Sequence, residues 1–235
     1  SLVRILGSDR CRFLNSFCTA DILAMSEGEV REAFILNGKG KTLGHVQVLA
    51  LPDSLLLVGA GDQAAALMQH LDMYIIREDV QLEDGSAAHS SFLVVGEPAE
   101  QKLAERFGTA PGSGRCQLVS CEGVGELVLA AAELAGPCYW LSAPSIEKRE
   151  LLGIFEAASW PKVSADVIEM VRLSHGTPWF GRETTADNLP QELNRDDKTI
   201  SFTKGCYLGQ ETVARIDSLG RVNQLLVTLD FGEKE

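Results

Sequence analysis

No apolar run in the chain approaches the roughly 18 residues needed to span a bilayer. The N-terminus has no basic stretch followed by a long apolar one, so no signal peptide is expected; residues 1–7 read instead as a strand already under way. The six cysteines, at 11, 18, 116, 121, 138 and 206, form no CxxC pair, and no His/Cys spacing closes a zinc site. Positive charge is scarce: 21 Lys and Arg stand against 33 Asp and Glu, a net charge of −12. Such a surface repels phosphate backbones on average, so neither direct nucleic-acid binding nor a membrane partner is expected. What is there is an ordinary globular composition, 45% apolar and 23% charged over 235 residues. A core of that size holds without disulfides, so reduced thiols and a cytoplasmic setting are expected.

Two α+β stretches follow one another. In the first, residues 3–7 read as a strand, and Ser8 or Asp9 can cap a helix carrying Phe13, Leu14, Phe17 and Ile22 on one face. Residues 33–36 and 46–51 read as strands around the turn Asn37-Gly38-Lys39-Gly40, a strong hairpin signal. A strand over 55–58, a helix over 63–76 with Leu67, His70, Leu71 and Tyr74 at helical spacing, and a strand over 80–82 follow. The second stretch has a strand at 92–95, a helix at 99–107, a loop at 108–114, strands at 116–121, 126–130 and 138–141, and a helix at 145–157. The repeated order of elements, without residue-level repetition, favours two sheet-plus-helix units over a doubly wound parallel sheet. Residues 165–174 read as a further helix capped by Ser164, with Val167, Ile168 and Val171 turned inward and Met170 a fourth candidate. The expected divisions are 1–85, 86–165, 166–221 and 222–235, the last beginning with a strand over 222–231.

From His175 to Arg221 the periodicity is lost, and Gly, Pro, Trp, Asn, Arg and Gln are dense. Long irregular segments of this kind usually carry function when ordered. Within this one stands Lys204-Gly205-Cys206-Tyr207-Leu208-Gly209-Gln210-Glu211. Its glycines allow tight turns around the thiol, and residues 210–216 read as the start of a helix. The helix N-terminus and Lys204 would both favour the thiolate form of Cys206. On this local chemistry alone a reactive thiol and an inert, packed one stay equally open. Arg195, Lys198, Lys204, Arg215 and Arg221 leave residues 194–221 with five basic against four acidic groups, an anion-receptive patch or, as the balance favours, a mixed surface. Gly40-Lys41-Thr42 imitates the end of a phosphate-binding loop, but Ile35 holds the place of the first glycine, so Lys39 and Lys41 read as solvated hairpin charges. Trp179 and Phe180 could stack on a flat ring or simply anchor a loop. His70 reads as a helix-face residue.

The octapeptide resembles the signature of the YgfZ-type folate-binding family, relatives of the glycine-cleavage T-protein (aminomethyltransferase). The resemblance runs along the chain through Ile5-Leu6-Gly7-Ser8-Asp9 to Phe13-Leu14, Leu36-Asn37-Gly38-Lys39-Gly40-Lys41, Arg172…Gly176-x-Pro178…Gly181, Leu189-Pro190-Gln191-Glu192, Ile200-Ser201-Phe202-x-Lys204-Gly205-Cys206 and Val213-Ala214-Arg215. It implies an α+β, T-protein-like fold: two ferredoxin-like sheet-plus-helix units flank a hollow lined by residues 175–215, and a C-terminal β-barrel begins after them. It implies a tetrahydrofolate-binding accessory protein that supports assembly or repair of iron–sulfur enzymes, a tRNA-modifying one included, without being a turnover enzyme itself. Its partners would be those enzymes or cluster-assembly proteins. Cys206 and Lys204 would be the working residues, and Asn37, His45, Arg172, Trp179, Glu192, Tyr207, Gln210, Glu211 and Arg215 would bind the folate.

Two departures bear on the alternative, a folate-dependent aminomethyltransferase. Those enzymes carry an Asp-Asp pair shortly after the hairpin glycines, where this chain has Gly44 and His45. They also carry Arg-Leu-Glu-Ala-Gly, whose Glu grips the pterin edge through paired, charge-assisted hydrogen bonds. Here the stretch is Arg172-Leu173-Ser174-His175-Gly176. Aminomethyl transfer is therefore not expected, and Glu183, Glu192 or Glu211 are candidates to replace the missing pterin ligand. A third reading is a scaffold that kept the fold and lost its ligand.

Overall fold

The computed structural model describes residues 1–229. The first unit runs β1 (Leu2–Leu6), α1 (Arg10–Asn15), a meander of β2 (Val30–Leu36), β3 (Thr42–Ala50) and β4 (Ser54–Val58), then α2 (Ala64–Asp72) and β5 (Gln81–Asp84). The second runs β6 (His89–Val94), α3 (Ala99–Phe107), a meander of β7 (Cys116–Cys121), β8 (Gly125–Ala132) and β9 (Cys138–Pro144), a 3₁₀ turn over Ser145–Glu147 and α4 (Lys148–Ala157). The sheet orders are β2-β3-β4-β1-β5 and β6-β9-β8-β7, with antiparallel pairing throughout. In both, the leading strand pairs with the last strand of the meander. The two units thus share one topology, with β5 added to the first, and the fold is α+β and T-protein-like.

Alternation along the strands decides what each sheet faces. Val3, Ile5, Ala33, Ile35, Val46, Val48, Leu55 and Leu57 meet α1 and α2 through Phe13, Leu14, Leu67 and Leu71. Leu2, Leu49, Leu56 and Val58 point the other way and pack on Cys116, Ala130, Ala132 and Trp140 of the second sheet. Leu127, Leu129 and Leu141 then face α3 and α4 through Leu103 and Leu151. The result is four layers, helices outside and two sheets face to face within.

The sheets do not cover each other fully. The inner face of β2 and β3 near their hairpin is covered instead by the later chain, which contains α5 (Ala165–Ser174), a 3₁₀ turn over Pro190–Leu193, α6 (Asp196–Thr199) and α7 (Gln210–Leu219). Phe34 and Leu36 pack there against Leu193, Tyr207 and Val213.

Several elements differ from the sequence expectation. α1 stops at Asn15, so Phe17 and Ile22 lie beyond it. The Asn15 side chain accepts from the Ile22 N–H, and the intervening chain joins the sheet edge, with Thr19 N–H donating to the Phe34 carbonyl. Ser8 and Asp9 do not cap α1; the Ser8 hydroxyl donates to the Asp79 carboxylate and Asp9 accepts from the Asp79 N–H. α2 ends at Asp72, leaving Tyr74 outside it, where its ring meets Phe17 at 4.6 Å. On α5, Met170 faces solvent and Arg172 is the buried residue, and Ser164 makes no capping bond. Residues 222–229 form no strand; Leu226 N–H donates instead to the Glu192 carbonyl at 2.7 Å. The rest of that expected strand lies outside the described residues. No helix among the described residues is long and apolar enough to cross a membrane.

Candidate functional site

Gly40 (φ 75°) closes the β2–β3 turn, and Gly209 (φ 81°) turns the chain into α7; both conformations favour glycine. The two turns touch. A methyl group on Gly40 would lie 2.6 Å from Thr212 Cβ, and one on Gly209 would lie 2.6 Å from the Asn37 carbonyl oxygen. The Thr212 hydroxyl donates to the Lys39 carbonyl at 3.1 Å, and Leu208 N–H donates to the Ser16 carbonyl at 2.9 Å. Asn37 shapes the turn, its Oδ1 accepting from the Lys39 and Lys41 N–H groups. The hairpin motif and the cysteine motif are therefore one structure.

Lys204 enters the same structure from the other side. Its buried ammonium donates to the carbonyls of Asn15, Cys18 and Ala20 at 2.8, 2.9 and 2.5 Å, and lies 5.0 Å from the centre of the Tyr207 ring. An ammonium has three N–H donors, and here all three are engaged. No N–H of Lys204 is therefore left to donate to the Cys206 thiol, and any influence on it runs through charge or through the position of the loop. Burial lowers the Lys204 pKa, with Cys18 and Asp21 opposing. Burial likewise pushes the Cys18 thiol up to about 11 and the Tyr207 hydroxyl up to about 12. Cys206 is exposed, whereas Cys18, Cys116, Cys121 and Cys138 are buried and Cys11 is half-buried.

A second polar centre lies on the inner face of β2 and β3. His45 stands opposite Phe34 in the ladder; its Nδ1 donates to the Pro178 carbonyl at 3.1 Å, and its Nε2 lies 2.7 Å from Glu32 Oε1. Arg195 grips both Glu32 oxygens, Nη2 donating to Oε2 at 2.6 Å. Glu133 accepts from Arg195 at 3.1 Å and pairs with Lys198 nearer the surface. Burial pushes the Glu32 carboxyl up, but hydrogen bonds and charge from Arg195 and His45 outweigh it and hold its pKa down at about 2. Arg172 is 1% exposed and bonds to Glu169, Glu183 and the Thr177 carbonyl, with its guanidinium 5.0 Å from the Trp179 ring centre. The Trp179 indole N–H donates to the Leu134 carbonyl.

These partners decide whether a pterin fits where the resemblance places it. Gly44 faces α2, where a methyl group would lie 2.6 Å from Leu67 Cδ2, so a side chain there would have to displace Leu67. The side-chain nitrogens of His45, Arg172 and Trp179 all have protein partners, and the space beside His45, Pro178 and Trp179 is about 10 Å³. Ser174 is exposed, its hydroxyl donating to the Val171 carbonyl. A pterin does not fit this seat. Beside it, between the sheets, a cleft of about 670 Å³ is walled by Arg31, Glu32, Gln47, Glu133, Tyr139 and Lys198, within the size range of small-molecule sites.

The expected site residues therefore do not share one pocket. Asn37, Lys204, Cys206, Tyr207 and Gln210 belong to the hairpin junction, and His45, Arg172 and Trp179 to the closed centre with Glu183. Glu192 accepts from the Leu189 N–H and, with Arg215, lines a separate cavity of about 750 Å³. Glu211 is exposed in the first turn of α7. Glu32, Glu133 and Arg195 were missed as partners. Glu32 carried a signal, a charged residue in alternation with the inward Phe34 and Leu36; Arg195 carried none. Among the described residues no group of three or more His, Cys, Asp or Glu could hold a metal ion.

No family model matches the chain. It is 25% identical over 230 residues to a tRNA-modifying protein YgfZ of Colwellia psychrerythraea, covering 97% of this chain and 68% of that one. It is 23% identical over 238 residues to the YgfZ of Aliivibrio fischeri, covering 100% of this chain and 70% of that one. Its fold matches the glycine cleavage system aminomethyltransferase T of Bartonella henselae with a TM-score of 0.71 at 16% identity, covering 92% of this chain and 61% of the enzyme. The chain is thus similar to the YgfZ proteins along nearly its whole length and shares the fold of the aminomethyltransferase: a YgfZ/GcvT-like protein.

Proposed function

We propose that the chain is an accessory protein in tRNA modification, supporting assembly or repair of iron–sulfur enzymes and presenting Cys206 to them. The observation that carries this reading is the thiol itself: an exposed cysteine at the middle of a loop whose neighbours on both sides are anchored. The names of the YgfZ relatives supply the tRNA connection. Tetrahydrofolate belongs to the reading as a ligand of the cleft between the sheets, where Gln47, Glu133, Tyr139 and Lys198 offer polar and aromatic contacts. No step of the thiol's chemistry is routed through it. Aminomethyl transfer is not supported, because neither Gly44 nor His45 is an acid and His45 is held by Glu32 and Pro178.

The test is complementation of cells lacking their own YgfZ, read as tRNA modification and iron–sulfur enzyme activity. The chain should restore both and Cys206→Ser should restore neither; a fully active Ser variant would sink the proposal. A tetrahydrofolate titration checks the ligand: binding should weaken in Tyr139→Ala, and binding indifferent to that change would remove folate from the cleft.

A further inference from the structure

We infer that Lys204 is a positioning residue, which with the Gly40–Gly209 contact clamps the loop 205–208 so that Cys206 stands outward. This rests on the reading of Cys206 as the working thiol. A lysine that acted on the thiol by donating to it would need a free N–H, and Lys204 has none. It binds instead the stretch that closes α1: the Asn15 carbonyl is at the helix C-terminus, where carbonyls lack helical partners and a cation is favoured. The Cys18 and Ala20 carbonyls follow in the same stretch. The next anchor downstream uses it too, since Leu208 N–H donates to the Ser16 carbonyl. Beyond Leu208 the chain reaches Gly209, pressed against Asn37 and Gly40 so closely that neither glycine has room for a side chain. Between the two anchors Gly205 and Cys206 are exposed. The buried cation thus ties the loop to α1, and the paired glycines tie it to the hairpin.

Amide exchange of Leu208 reads the clamp without reference to activity. Removing the ammonium in Lys204→Met frees three carbonyls and should speed that exchange at least about tenfold. Gly209→Ala should do the same from the other end, and carries the test if Lys204→Met does not fold. Both variants should lower complementation, and the pH profile of Cys206 alkylation in Lys204→Met should keep its wild-type shape. Unchanged Leu208 exchange in both variants, or an alkylation profile displaced along the pH axis in Lys204→Met, would overturn the inference. Cys206→Ser separates the two claims: it should leave Leu208 exchange at the wild-type rate. If that variant complements, the functional reading fails, while exchange still decides the clamp.

Discussion

Arg195 and Lys204 are both buried cations of the irregular segment, and the molecule holds them by different means. Arg195 meets the carboxylates of Glu32 and Glu133, and the His45 ring is locked against Glu32 beside it. Lys204 meets only neutral carbonyls, and the loop it anchors leaves a thiol in solvent. A buried ion pair satisfied on all sides has no hydrogen-bonding capacity left for a ligand, whereas a cation bound by backbone dipoles can fix a chain without filling the space beyond it. The Arg195 cluster is thus held among its own charges, whereas Cys206 stands exposed on the loop that Lys204 anchors.

The comparison is most sharply broken at Glu32. Glu32→Ala leaves Arg195 buried with one carboxylate fewer and should cost about 3–5 kcal/mol, read as urea or thermal unfolding. An unchanged unfolding midpoint would mean that the centre does not hold the fold. The acid limb of stability should show the same group. Its folded pKa of about 2 lies below the 4.5 of an unperturbed glutamate, so its contribution is present above about pH 4.5 and is lost as pH falls toward 2. That contribution is on the order of 3 kcal/mol and should vanish from the pH–stability curve of Glu32→Gln. Trp179→Phe removes the indole N–H that reaches the Leu134 carbonyl and should cost about 1 kcal/mol by the same measurement. At the other site, Cys206→Ser should move stability by less than about 0.5 kcal/mol, as for an exposed position. Alkylation of the native protein followed by peptide mapping should label Cys206 first and Cys11 second, with the four buried thiols protected until unfolding. Early labelling of Cys18 would show that the Lys204 anchor opens.

Much of the fold was legible because it is local. The apolar runs of β2 and β3, the Asn-Gly turn between them and the helical stretch at α3 each need only neighbouring residues. The ends of α1 and α2 were not legible, since Asn15 and Tyr74 take up contacts that arise only when the elements pack. The same holds for Arg172: its sequence neighbours show a helix, but its burial depends on Glu183 from the following loop and on the Trp179 ring.

At the site, the sequence by itself determined that Cys206 lies between glycines just before a helix; the comparison of Gly44, His45 and Ser174 with acids came only from the family resemblance. Tertiary structure alone decided the rest. Whether Lys204 faces the thiol or the end of α1, and whether His45 is free or locked, depends on residues far along the chain; Glu32 and Arg195 are 163 positions apart. The physical reason is that backbone conformation follows from local sterics and periodicity, whereas the partner of a buried charge is chosen by desolvation, which exists only once the layers have closed around it.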